Sequence, residues 1–378
     1  MVDRRWLMRL GPPLVGALSV GAMASASLGV TDRAWDPLPC SGGAAALAGS
    51  LAAPPPATPA EVARGPWFTL DPVVDEAGTL VGQRLRIGPG ADRATYLDLP
   101  PESSAAGPFG GLVLVTRDDG RRSELRAFDR GADCWWALGH TNDVVRRATV
   151  EPSVGAIHEH RVDRATRADL GVWRRPLDGS PAVRELAPLP RDRSVGVTFS
   201  TTLSWSLEGD RLAVQSCGAV RCRTQVLDAA TGAVRQLAAR DQGELIGLAG
   251  DRVVAYAACA GLPCPLVAID VDTGVAEPIA PAGGLARLIG TRDGPRLAVE
   301  AGIGGGRLEV RDLAGRPDRA VRLADPGLRL MPGADRAAAG VVAPPGWLVL
   351  APDGRSPERA VLTRLADGWT VELQEVLR

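Results

Sequence analysis

The run Trp205-Ser-Leu-Glu-Gly-Asp-Arg-Leu-Ala-Val-Gln-Ser-Cys217 continues through Cys222 into Val226-Leu-Asp-Ala-Ala-Thr-Gly-Ala-Val-Arg-Gln-Leu237, and the chain then says nearly the same again. Gly250-Asp251-Arg252 opens the second copy, Cys259 and Cys264 stand for Cys217 and Cys222, and Ile269-Asp-Val-Asp-Thr-Gly274 replaces the first turn. The cysteines, Asp228 and Asp270, and Gly232 and Gly274 all recur at 42 residues. A period of that length, written in strand-turn-strand text, is the mark of propeller blades.

Outward from this pair, apolar runs meet at glycine turns along the rest of the chain. Leu125 to Asp129 and Cys134 to Leu138 flank Gly131, and Leu308 to Asp312 and Ala320 to Leu323 flank Gly315. With Gly90, Gly179, Gly232, Gly274 and Gly354, the turns stand 39 to 53 residues apart. Tight hairpin turns need a positive φ, which glycine adopts without steric cost. A second landmark agrees: Gly209-Asp210-Arg211, Gly250-Asp251-Arg252 and Gly294-Pro295-Arg296 each precede an apolar run, as a strand buried on both faces requires. The expected fold is all-β, a single β-propeller of seven blades over residues 67–378. Six blades, with 67–99 as an irregular lead-in, is the alternative. One strand is left over at the C-terminus, 369–376, and is expected to complete the blade containing Gly90 and so close the ring.

At these residues the chain resembles the TolB-like, WD40-like propeller repeats of bacterial exported proteins. Trp205 to Val214 is similar to that family's Trp-Ser-Pro-Asp-Gly-x-x-Leu-Ala-Phe opening, departing from it at Leu207-Glu208, and Val226 to Leu237 is similar to its closing half. The resemblance covers one blade well and about three loosely. It implies a propeller with a binding or scaffolding role and carries over no catalytic residue.

Residues 1–30 read as an export signal, with a basic start at Arg4 and Arg5, an apolar middle, and Ala24-Ser25-Ala26 at a cleavage point. Arg4-Arg5-Trp6-Leu7-Met8 fits the twin-arginine pattern and an ordinary secretory start equally, and residues 10–30 are long enough for an uncleaved anchor. The expected location is extracellular, periplasmic or cell-envelope, with membrane contact only through this segment if it stays attached. Residues 31–66, rich in Ala, Gly and Pro, read as a linker. Over 378 residues the formal charge is −1, and all 43 basic residues are arginine without a basic stripe, so nucleic acid is not an expected partner.

Six cysteines in an exported chain fit disulfides better than metal or redox chemistry. If Cys217 ends one strand and Cys222 starts the next, their Cα atoms face each other across a hairpin loop, and Cys259 and Cys264 copy that geometry. Cys40 and Cys134 then pair by elimination, tying the N-terminal segment to an early blade.

His158-Glu159-His160 is the one histidine pair. On a strand its two rings share a face, so a metal site would need a third ligand from His140, Asp143 or Asp163; a pair of solvated strand residues is the competing reading. Gly-x-Ser-x-Gly is absent, the glycine run 302–306 lacks the helix of a phosphate cradle, and a single asparagine argues against a lactonase-like calcium site. Of Trp135 and Trp136, one faces the core and the other either anchors a ligand or packs beneath the N-terminal segment. No cofactor and no catalytic residue is assigned. The expected function is non-catalytic binding of a protein, peptide or cell-envelope ligand where loops of successive blades converge. The alternative is a saccharide hydrolase with two channel-facing carboxylates.

Overall fold

A computed structural model describes residues 38–52, 57–88, 95–152, 155–189, 200–217, 222–237, 242–258, 264–301, 306–323, 325, 327–331, 339–341, 343–352, 359–367 and 369–372. The expected signal or anchor lies outside them. Seven four-stranded antiparallel sheets follow one another along the chain. The repeat that dominates the sequence forms the fourth and fifth. Ser200–Trp205, Arg211–Cys217, Cys222–Asp228 and Val234–Leu237 make the fourth, and Gln242–Ala249, Arg252–Ala257, Cys264–Asp270 and Ala276–Gly283 the fifth. Residues 67–99 supply three strands of a regular first sheet rather than an irregular lead-in.

The recurring Asp-x-x-Thr-Gly text has a local cause. Asp228 Oδ1 accepts from the Thr231 N–H and hydroxyl at 2.8 Å each, and Asp270 accepts the same pair from Thr273 at 2.8 Å. The carboxylate thus bends the chain before Gly232 and Gly274, both at φ 70°, complete the turn into the outer strand.

Apolar side chains are gathered at seven junctions, each shared by two sheets. Phe68, Leu85 and Ile87 of the first sheet meet Val113, Phe128 and Trp135 of the second. In the fourth sheet Leu212 and Val214 face the third, while the intervening Ala213 faces the fifth. Strands with a sheet packed on either face need apolar residues at consecutive positions, which is why the Leu-Ala-Val text is continuous rather than alternating. The last junction returns to the start: Trp67 packs with Met331, Val349 and Leu362 of the seventh sheet. The sheets therefore close into a ring.

Closure differs from the expectation. Ala339–Val341 leaves the seventh sheet between its first and second strands and pairs with Trp67 to Thr69, becoming the first strand of the first sheet. Residues 370–372 pair with 361–363 as the outer strand of the seventh sheet, not with the blade of Gly90. The count of seven holds, but the spacing leaves one strand over because Gly354 lies between the second and third strands of its sheet, whereas the other turn glycines lie between the third and fourth. The equivalent turn is Asp367-Gly368; Gly90, Gly354 and Gly368 themselves lie outside the described residues.

The segment read as a linker also carries structure. Ala44–Leu51 is a helix whose Leu47 joins the junction of the second and third sheets. Pro59–Arg64 is a second, short helix with a capping box in which Thr58 and Glu61 exchange hydrogen bonds, and its Val62 is buried against the seventh sheet.

Two disulfides lie among the described residues. Cys40–Cys134, with Cα atoms 5.0 Å apart, fixes the N-terminal segment beside the outer strand of the second sheet, where Pro39 makes a parallel bridge to Trp135. Cys217–Cys222, at 4.0 Å, closes the turn between the second and third strands of the fourth sheet. Cys264 is disulfide-bonded as well, and Cys259, its expected partner, lies outside the described residues. Trp135 is buried against Phe128, with ring centroids 5.0 Å apart, and Trp136 lies under Gly42. The pair packs beneath the N-terminal segment.

Candidate functional site

Because all neighbouring strands are antiparallel, the turns from second to third strand and the connections between sheets gather at one end of the ring; call it the loop end. The Cys217–Cys222 staple is there, and the Asp-x-x-Thr-Gly turns are at the other end. Among the described residues, a polar cluster of the loop end stands over the second and third sheets.

Asp118 ends the second strand of the second sheet and is buried. Arg164, in the third sheet's turn, donates to it twice, from Nη1 to Oδ1 at 2.8 Å and from Nη2 to Oδ2 at 2.7 Å. Arg164 also donates to the carbonyls of Asn142 and Asp143 at 2.9 and 3.3 Å. Burial by itself would raise the Asp118 pKa, but donors from Arg164, Ser123 and Gly120 outweigh it and leave the carboxyl below its usual value. The same bond raises Arg164. Nearer the channel, Glu102 is shared by Arg146 Nη1 at 3.3 Å and Arg167 Nη2 at 3.1 Å. The Gln83 amide donates to Pro101 and Ser103 at 2.6 and 2.7 Å and fixes the loop that carries Glu102.

Arg146 and Arg147 stand on Val144–Val150, the innermost strand of the third sheet. The register shifts between Val145 and Arg147, so Arg146 is the extra residue of a β-bulge. Arg147 turns toward the fourth sheet and donates through Nε to the Thr201 carbonyl at 3.2 Å and through Nη1 to the Arg146 carbonyl at 3.2 Å. Among the described residues no carboxylate pairs with it. Burial, and then repulsion from Arg146, lower its pKa.

The two histidines share a face, as expected, but are buried rather than solvated, at 1% and 4% exposure. His158 Nε2 meets Glu185 Oε2 at 2.6 Å and His160 Nε2 meets Asp169 Oδ1 at 3.0 Å. Hydrogen bonding to His158 holds Glu185 below its usual pKa; at Asp169 burial opposes, and the His160 contact outweighs it. The intervening Glu159 points into the opposite junction, where Arg161 donates to it at 2.9 Å and Arg175 donates as well. Of the third ligands considered, Asp143 is bonded to Thr141 and Asp163 to Thr166, and His140 stands opposite Glu124 in the second sheet. Among the described residues no three His, Cys, Asp or Glu side chains are grouped to hold a metal ion.

The buried acids are engaged by donors throughout. Asp118 is held by Arg164, Glu151 by Arg174, Glu159 by Arg161 and Arg175, Glu300 by the Leu330 N–H and Arg329, and Asp129 by Ser50 and Trp136. Of these, Asp118 is held below its usual pKa, the opposite of what a general acid at working pH requires. The sequence reading missed Glu102, Arg146, Arg147 and the Asp118–Arg164 pair. One signal was present: tandem arginines interrupt the apolar strand Val-Val-Arg-Arg-Ala-Thr-Val.

No family model matches the chain, and no curated protein matches it. Among solved structures, TolB from Acinetobacter baumannii is similar at 12% identity over 74% of this chain and 66% of that one, with a TM-score of 0.43. A prolyl endopeptidase is similar at 14% identity over 87% of this chain and 51% of that one, with a TM-score of 0.50. A puromycin-hydrolyzing peptidase of Mycobacterium tuberculosis follows at 17%, covering 85% and 55%, with a TM-score of 0.49. The chain spans about half to two thirds of the length of these solved chains. The fold is an all-β propeller. At these identities the likeness is one of fold alone.

Proposed function

We propose that this is an exported, non-catalytic propeller that binds a protein, peptide or cell-envelope ligand on its loop end, over the second and third sheets. The observation that carries this reading is the Glu102 cluster: three exposed side chains, Glu102, Arg146 and Arg167, are held in place at the inner edge of the ring by a rigid loop and a β-bulge. Polar side chains preset on a stiff scaffold bind without the entropic cost of ordering long, mobile ones. Two disulfides support export to an oxidising compartment. Twin-arginine transport, cued by Arg4 and Arg5, belongs to the same proposal. Among the described residues no helix is long and apolar enough to cross a membrane.

Site-specific photocrosslinking tests the reading. A crosslinker in place of Arg121 at the loop end should capture a discrete partner from the cell envelope. One in place of Val234, exposed at the opposite end, should not. Equal capture from both ends, or none from either, would overturn it.

A further inference from the structure

Arg147 is the residue whose chemistry is incomplete. A partly buried guanidinium normally acquires a carboxylate, because desolvating a cation costs several kcal/mol (roughly) unless an opposite charge offsets it. Among the described residues Arg147 has the carbonyls of Thr201 and Arg146 alone, which use its Nε and Nη1. Its Nη2 has no hydrogen-bond partner among the described residues, and the side chain is only partly buried. Arg146, the next residue, shares Glu102 with Arg167, so two guanidiniums already stand on that carboxylate and Arg147 has no share in it. The bulge that turns both Arg146 and Arg147 out of an otherwise apolar inner strand is the kind of irregularity that re-aims side chains beside a site.

We propose that Arg147 is the centre of a carboxylate-binding site at the channel mouth between the third and fourth sheets, with the like charge of Arg146 beside it adding to the attraction for an anion. The guanidinium fork matches a planar carboxylate with two parallel N–H donors, a geometry an ammonium does not offer. One carboxylate would complete Arg147 and offset its repulsion from Arg146. The carboxylate is either the C-terminus of a peptide or a small free acid. This deepens the binding reading above and rests on it for the choice of end, not for the choice of residue.

The test compares melting temperatures of the whole protein in sodium acetate and in sodium chloride at equal ionic strength, near pH 7. It then titrates a tetra-alanine peptide carrying a free C-terminal acid against the same peptide as its amide. Acetate should raise the midpoint above chloride in the native protein. Arg147→Gln should abolish that difference and Arg147→Lys should reduce it without abolishing it, since the charge stays and the fork is lost. In chloride, Arg147→Gln should melt no lower than the native protein, because it keeps a donor and removes an unpaired cation; a merely structural arginine would give a lower midpoint. Response to acetate and not to the peptide acid identifies a small acid as the ligand. Preference for the peptide acid over its amide identifies a peptide C-terminus. No response to either, or one that survives Arg147→Gln and Arg146→Gln, overturns the proposal. Loop-end crosslinking in the face of that failure would leave the binding reading standing and remove only the carboxylate.

Discussion

Trp67 pairs with Val341, so the first ordered strand of the ring is bound to a strand donated from inside its last sheet. Trp67 is also buried against Met331, Val349 and Leu362, and Arg86 lies over its ring at 4.9 Å. This residue therefore serves the closing pair of strands and the closing core at once. Trp67→Ala should cost about 3–5 kcal/mol in urea unfolding, at the upper end for a core truncation. Removing the chain after Asp367 takes away an outer strand with one paired edge and should cost less. The reverse order would mean that the C-terminal strand, not 339–341, holds the ring shut.

How much of this was legible in the sequence follows from what each signal depends on. The Asp228 and Asp270 turns were readable because an Asx turn and a left-handed glycine are decided within five residues. Sheet number and the Cys217–Cys222 pair followed from the period, and Cys40–Cys134 by elimination. Closure was not readable, since 339–341 is three residues long and its pairing is decided by a partner more than 270 positions away. The loop-end cluster was hidden for a related reason. Glu102, Arg146 and Arg167 come from three separate loops and strands, and nothing local marks them as neighbours. The histidine pair was visible but misjudged as solvated, because burial on a strand is set by the sheet packed over it.

The two described disulfides should differ in worth. Cys40–Cys134 closes a separation of 94 residues and Cys217–Cys222 one of 5. Chain-entropy estimates give about 4–5 kcal/mol for the first and about 2 kcal/mol for the second. Replacing Cys40 and Cys134 by serine should therefore lower the denaturation midpoint about twice as far as replacing Cys217 and Cys222. It should also expose Trp136 to quenchers, since the segment lying over it loses its staple.

Asp118 gives the loop end a pH dependence with a definite sign. Its folded pKa is depressed by the Arg164, Ser123 and Gly120 donors acting against burial, so its contribution is present above the unfolded value near ~4 and is lost as pH falls through the folded one. Asp118→Asn should cost about 2–3 kcal/mol at pH 7, the scale of hydrogen bonds to a charged group. Below pH 4 the gap between variant and native protein should shrink. A gap that is constant from pH 7 to pH 3 would show that the carboxylate charge contributes nothing.

Glu159 tests whether the charges inside the ring are there for stability. It is fully buried and receives Arg161 and Arg175, while Arg161 also lies over the Trp173 ring at 4.6 Å. Glu159→Gln takes the shared counter-ion from both guanidiniums, leaving Arg161 with Asp143 at 3.8 Å, and should cost about 3–5 kcal/mol. Replacing Glu159, Arg161 and Arg175 together by Met or Leu removes the charges and their desolvation cost at the same time. The triple variant should therefore be more stable than Glu159→Gln, by thermal and urea unfolding alike, although it changes three residues rather than one. If it is less stable, the three charges contribute net stability as a set, beyond avoiding an unpaired cation.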